Sequence, residues 1–252
     1  MKHYLQRNLA QRLETARIAT VNASTPEISA ALAAAGVLGT NLQTGRTLYQ
    51  AAADQVTTAT ARRGEQMAAT ETVRQCKDEC RTACQALASV ARGVFRDDPG
   101  ALGILGLNQE MPADNSGFVL AAQTLLNYSA YTPEMAAALV SFGYTEARIT
   151  QLRTKLTELQ AALDAQGQAK AAHHHAKDEQ RQAMRALDRW MGTFVRVARV
   201  ALAEQMQMLE QLGIVARTFP TAAQRAGRVK AAATRLAKKM QKLQPVPMPQ
   251  AA

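Results

Sequence analysis

The sequence predicts an all-α, internally duplicated protein with two long heptad-patterned helices and several short ones. Three observations carry this reading. Alanine, leucine, glutamine and arginine dominate while aromatics make up only 4% of the chain, a composition suited to close-packed helices rather than to a strand-built core. Runs that alternate with the period of a strand are few. Finally, three motifs recur in the same order along the chain, which makes repetition the first fact to interpret.

Thr25-Pro26-Glu27 with Ala30-Ala31-Leu32 and Gly36 returns as Thr132-Pro133-Glu134 with Ala137-Ala138-Leu139 and Gly143, at a spacing of 107. Leu105-Gly106 returns as Leu212-Gly213 at the same spacing. Between these anchors, Lys77-Asp78-Glu79 with Arg81, Ala83, Ala86 and Leu87 matches Lys177-Asp178-Glu179 with Arg181, Ala183, Ala186 and Leu187, at spacing 100. The seven-residue difference is one heptad, so the same helical face stays buried across the insertion. The chain divides into residues 1–107, a first repeat with an N-terminal helix; 108–214, a second repeat; and 215–252, a basic helical tail with a Pro-rich end.

Each repeat is expected to open with a short helix. Its Thr caps the N-terminus, its Pro occupies the first turn, its Glu faces the positive end of the dipole, and Gly36 or Gly143 ends it. A long segment follows. In the second copy Ile149, Leu152, Leu156, Leu159 and Leu163 mark a and d positions, and the same frame resumes at Met184, Leu187, Met191, Phe194, Ala198, Ala201, Met208 and Leu212. Between them the frame passes through Gln166, Lys170, His173, Lys177 and Gln180 with no turn signal, which favours one continuous helix. The alternative is a compact four-helix bundle made of two helical hairpins, each long segment folding back near its polar stretch at Gly64 or Gly167. Residues 8–23 occupy the place before the first Thr-Pro-Glu, and after Leu-Gly both copies run into an apolar–Pro pair, Met111-Pro112 and Phe219-Pro220. The chain reads as two units with a third begun.

The formal charge of +10 is concentrated in residues 215–252, where eight basic residues stand without an acidic one. Arg225, Arg228, Lys230, Arg235, Lys238, Lys239 and Lys242 are therefore the candidate polyanion-binding residues, suited to nucleic acid or an anionic surface. Val229, Leu236, Met240 and Leu243 fall near one face of the same segment. In the repeat pattern that segment has a docking place, the one residues 117–130 fill in the earlier copy. No stretch approaches the roughly 20 apolar residues that span a bilayer, and the opening residues lack a secretory pattern, so a cytoplasmic protein is expected.

Two clusters point to a soft metal ion. Cys76, Cys80 and Cys84 stack along one helical stripe at i, i+4, i+8, and His173-His174-His175 supplies imidazoles. If the two long helices run antiparallel about a connection near residue 124, Cys76 lies level with His173, and the metal candidates are Cys76, Cys80, Cys84 and His173. The competing reading makes the thiols small core residues and the histidines a polar belt. Trp190, Met191 and Phe194 continue the heptad and read as core. Phosphate loops, nucleophile elbows and paired catalytic carboxylates are missing from the sequence, so no enzyme is expected. The expected function is a non-enzymatic scaffold that self-associates or binds a partner through its long helices. The alternatives are a nucleic-acid-binding protein using the tail and a metal-binding helical bundle.

Overall fold

A computed structural model of the chain describes residues 8–214 and 230–235. Of these, 83% are helical, and no strand occurs among them. The elements are α1 (Leu9–Asn22), α2 (Pro26–Ala34), α3 (Gly39–Val94), α4 (Pro99–Ile104), α5 (Asn115–Tyr128), α6 (Pro133–Ser141), α7 (Glu146–Ala201) and α8 (Met206–Gln211), with a further helical stretch at 230–235.

The long segments are continuous. α3 and α7 each run for 56 residues, about 84 Å at 1.5 Å per residue, and Gly64 and Gly167 lie inside them as ordinary helical residues. The folded-back bundle is excluded by this continuity. The helices pair antiparallel: Lys155 Nζ donates to Glu79 Oε2 at 2.7 Å, Gln166 Nε2 to Thr70 Oγ1 at 3.1 Å, and Trp190 Nε1 to the Asn41 carbonyl at 3.2 Å.

The repeat is obeyed residue for residue. α2, α3 and α4 map onto α6, α7 and α8 at a shift of 107, and α1 maps onto α5 at 106. Buried positions follow: Leu42, Gly45, Ala52, Cys80, Cys84, Leu87 and Ala91 of α3 correspond to Ile149, Leu152, Leu159, Leu187, Met191, Phe194 and Ala198 of α7. The repeated Lys-Asp-Glu is thus displaced by one heptad from its structural counterpart, and burial is unaffected because a heptad returns to the same face. Both long helices end at matching points, Val94 and Ala201. The apolar frame that runs on to Leu212 therefore changes element, and it is Leu209 of α8 that is buried while Met208 flanks it.

Two apolar clusters sit at the two poles, and each is assembled from both repeats. One joins the end of α3 and α4 to α5, α6 and the start of α7, around Leu87, Leu105, Phe118, Leu125 and Leu159. The other joins α1, α2 and the start of α3 to the end of α7 and α8, around Ile28, Leu32, Leu187, Met191 and Leu202. The second pole closes with the N-terminal helix α1 in the slot that α5 fills at the first. The sequence expectation of a tail helix docked in that slot falls largely outside the described residues; at this pole α1 holds the slot, and the described residues 230–235 are exposed.

Matching arginines fasten the slot helices. Arg46 Nε donates to the Thr20 carbonyl at 3.4 Å, and its counterpart Arg153 donates to the Leu126 carbonyl at 3.0 Å. Short helices end as their glycines dictate, with φ of 85° at Gly36 and 84° at Gly143, values an L side chain avoids. The caps differ between copies. Thr132 accepts from the Met135 N–H, whereas Thr25 makes no side-chain cap and donates to the Asn22 carbonyl instead.

Candidate functional site

The thiols belong to the core. Cys80 and Cys84 are 1% and 0% exposed, and Cys76 is half-buried beside them. Their structural counterparts are Leu187, Met191 and Ala183, which shows what the site asks for: compact apolar fill. Cys80 and Cys84 are hydrogen-bonded to one another, which favours the Cys80 thiolate and, with burial, pushes the Cys84 thiol far up so that it stays protonated. Lys155, on the facing helix, adds a further pull downward on Cys80.

His173 is remote from them. Because Thr70 faces Gln166, His173 lies level with Arg63, and Cys76 lies level with Gln160. The antiparallel register is offset from a connection near residue 124, and this carries the imidazole about 20 Å along the rod from the thiols. His173 and His174 tilt against one another, and His175 pairs with Glu179 at 3.5 Å. Among the described residues no group of three or more His, Cys, Asp or Glu side chains is placed to hold a metal ion.

The repeated lysines leave the seam. Lys177 is exposed because the buried line of α7 passes through its neighbour, Ala176, at 3% exposure. Lys77 reaches outward and donates to the Ala113 carbonyl and to Asn115 Oδ1, both at 2.7 Å. With Arg81 and Arg92, which donate to the carbonyls of Met111, Pro112, Leu107 and Gln109, it holds the connection from α4 to α5 against α3. The heptad frame passes through Lys177, which Lys77 matches in the repeated motif, but spacing locates a residue on a helix and not the loop that comes back to meet it.

Two surface grooves emerge that the sequence did not reveal. One, of about 450 Å³, lies between α1 and α7 and is lined by Arg12, Lys177, Arg181, Arg185 and Asp188 over a floor of Leu9 and Met184. The other, of about 500 Å³, lies at the opposite pole between α4 and α6. Phe95, Ala101, Ile104 and Met135 make it apolar, and Asp98 and Glu134 stand in its wall. The carboxyl of Glu134 is held below its ordinary range by its own backbone N–H at the start of α6 and by the Thr132 side chain, so it is ionised at neutral pH. The two poles differ at this second groove: Met208 stands where Ala101 does, and Gln205 where Asp98 does.

Charge divides along the rod. Residues 73–164 carry eight basic and ten acidic residues, whereas 8–72 together with 165–214 carry twelve basic and ten acidic. The eight tail charges follow directly on the basic half. The candidate residues Arg225, Arg228, Lys238, Lys239 and Lys242 lie outside the described residues; Lys230 and Arg235 lie on the exposed helical stretch. No described helix is long and apolar enough to cross a membrane. No family model, no curated protein and no solved structure matches the chain.

Proposed function

We propose that the protein is a non-enzymatic scaffold, a rod that holds two chemically different poles about 80 Å apart and meets its partners through those poles. The observation that supports this reading is the pairing of α3 with α7, which closes both poles within one chain. A heptad stripe on an isolated long helix needs a companion along its length. Here each repeat is the other's companion, so lateral assembly through the seam is not required for folding, and the ends and the tail remain for association. Sedimentation extrapolated to zero concentration tests it. An elongated monomer is expected, and the frictional ratio of a sphere would overturn the rod.

A second reading is polyanion binding. It is favoured by the groove of Arg12, Lys177, Arg181 and Arg185, which lies in the half of the rod from which the basic tail departs. A phosphate chain on this half meets cations from both the body and the tail.

A further inference from the structure

We infer that the groove between α4 and α6 is the receptor for the C-terminal tail of a second copy, joining rods end to end. The inference rests on the scaffold reading and specifies its partner. Three observations carry it.

The first is complementarity. The groove offers apolar side chains, Phe95, Ile104 and Met135, with Asp98 and the ionised Glu134 in the same wall. The tail offers the converse: Val229, Leu236, Met240 and Leu243 recur at helical spacing among eight basic residues with no acidic one. An amphipathic helix laid in a groove is recognised through such i, i+4, i+7 anchors. Its surrounding cations suit a pole whose half of the rod carries more acid than base.

The second is that the tail's equivalent slot on its own chain is taken. The slot that the repeat pattern provides for the tail on its own chain is filled by α1, and the described part of the tail, residues 230–235, is exposed.

The third is reach. The tail leaves the body after Ile214, which packs at the α8 pole, while the groove lies at the far pole. Residues 215–221 fully extended span about 24 Å, and 222–243 as a helix span about 33 Å. Their total falls short of the rod's length of about 84 Å, so a helical tail meets this groove on another molecule and not on its own. The contact uses different surfaces on the two partners. It is therefore heterologous and propagates instead of closing as a dimer.

Light scattering of the full chain and mixing of two variants decide the matter. The wild type is expected to gain mass with concentration beyond a dimer in light scattering, and to lose it as salt rises. Two variants test the partners separately: Glu134→Lys, which reverses one groove charge at an exposed position, and a chain ending at residue 214, which the closure of both poles leaves folded. Each alone should associate at least tenfold more weakly than wild type. Mixed in equal amounts, they should form a one-to-one dimer and nothing larger, because only one groove and one tail remain. Wild-type association in either variant alone, or no dimer in the mixture, would overturn the contact. A wild type that stays monomeric at every concentration would also overturn it, while the rod itself is judged independently by the separation of its poles.

Discussion

Arg12 and Asp188 form an ion pair at the α8 pole in the position where, at the other pole, Arg81 lies over the ring of Phe118 at 5.5 Å. Asp188 is the counterpart of Arg81, and Arg12 that of Phe118. Besides Arg46 and Arg153, each slot helix thus has a second arginine contact with the rod, but this arginine has moved from the rod helix at one pole to the slot helix at the other. The partner has changed from an aromatic face to a carboxylate. Both side chains of the ion pair are largely buried, at 20% and 14% exposure, so removing Asp188 takes a poorly solvated charge partner from Arg12. We expect Asp188→Ala to cost about 1–3 kcal/mol in chemical denaturation, and Asp188→Arg together with Arg12→Phe to recover most of that loss.

A second exchange of size accompanies it. A Cβ on Gly45 would lie 2.1 Å from the indole of Trp190, which stacks on Phe194 with ring centroids 4.9 Å apart. At the other pole the counterparts are Leu152 and Ala83, large for small and small for large. Gly45→Leu alone should destabilise the fold by about 3 kcal/mol, the upper end of what overpacking typically costs. Adding Trp190→Ala reproduces the opposite pole and should return most of the stability. A double variant no better than Gly45→Leu would show that the two poles are not interchangeable.

Lysine substitutions separate the two copies of the Lys-Asp-Glu motif. Lys77→Leu removes two hydrogen bonds that hold the α4–α5 connection, and a loss of about 1–2 kcal/mol is expected. Lys177→Leu changes an exposed groove residue and should stay within about 0.5 kcal/mol of wild type. Equal effects would place both lysines in one environment.

The thiols should report their burial through reactivity. In the native protein the half-buried Cys76 reacts first with a small alkylating reagent, while Cys80 and Cys84 react only after unfolding. The upward displacement of the Cys84 thiol means that raising the pH through the ordinary thiol range, near 8.5, does not generate its thiolate in the folded state. Three equivalents labelled rapidly at pH 8 would contradict the packing.

Truncation after residue 214 should remove most binding to DNA or to anionic vesicles, since eight of the ten net charges lie beyond it. Binding by the intact chain should fall steeply with salt. Residual affinity should decline further in Lys177→Ala with Arg185→Ala, which empties the groove on the body of two of its cations. Unchanged binding after truncation would assign the interaction to another surface.

Much of the fold was legible because its strongest signals are periodic. The repeat at 107 sets the element order, and the heptad frame contains Ile149, Leu152, Leu187 and Met191, all of them buried. What escaped were relations between distant residues. The drift of the seam from Lys177 to Ala176 arises because a helix of 3.6 residues per turn does not keep a strict heptad face without supercoiling. The register that separates His173 from Cys76 depends on how the poles close, and the return of the α4–α5 connection onto Lys77, Arg81 and Arg92 is loop geometry with no period. The grooves were invisible for the same reason, being formed by α4 with α6 and by α1 with α7.

The continuity of the long helices underlies every other statement about the rod, and a single distance tests it. Gln43 and Gln85 are exposed on α3 and lie symmetrically about Gly64. Spin labels introduced at these two positions through unnatural amino acids, leaving the native cysteines in place, should be separated by about 63 Å along a continuous helix. A separation near 10 Å, the spacing of two packed helices, would mean that the segment folds back at Gly64 and would contradict the account.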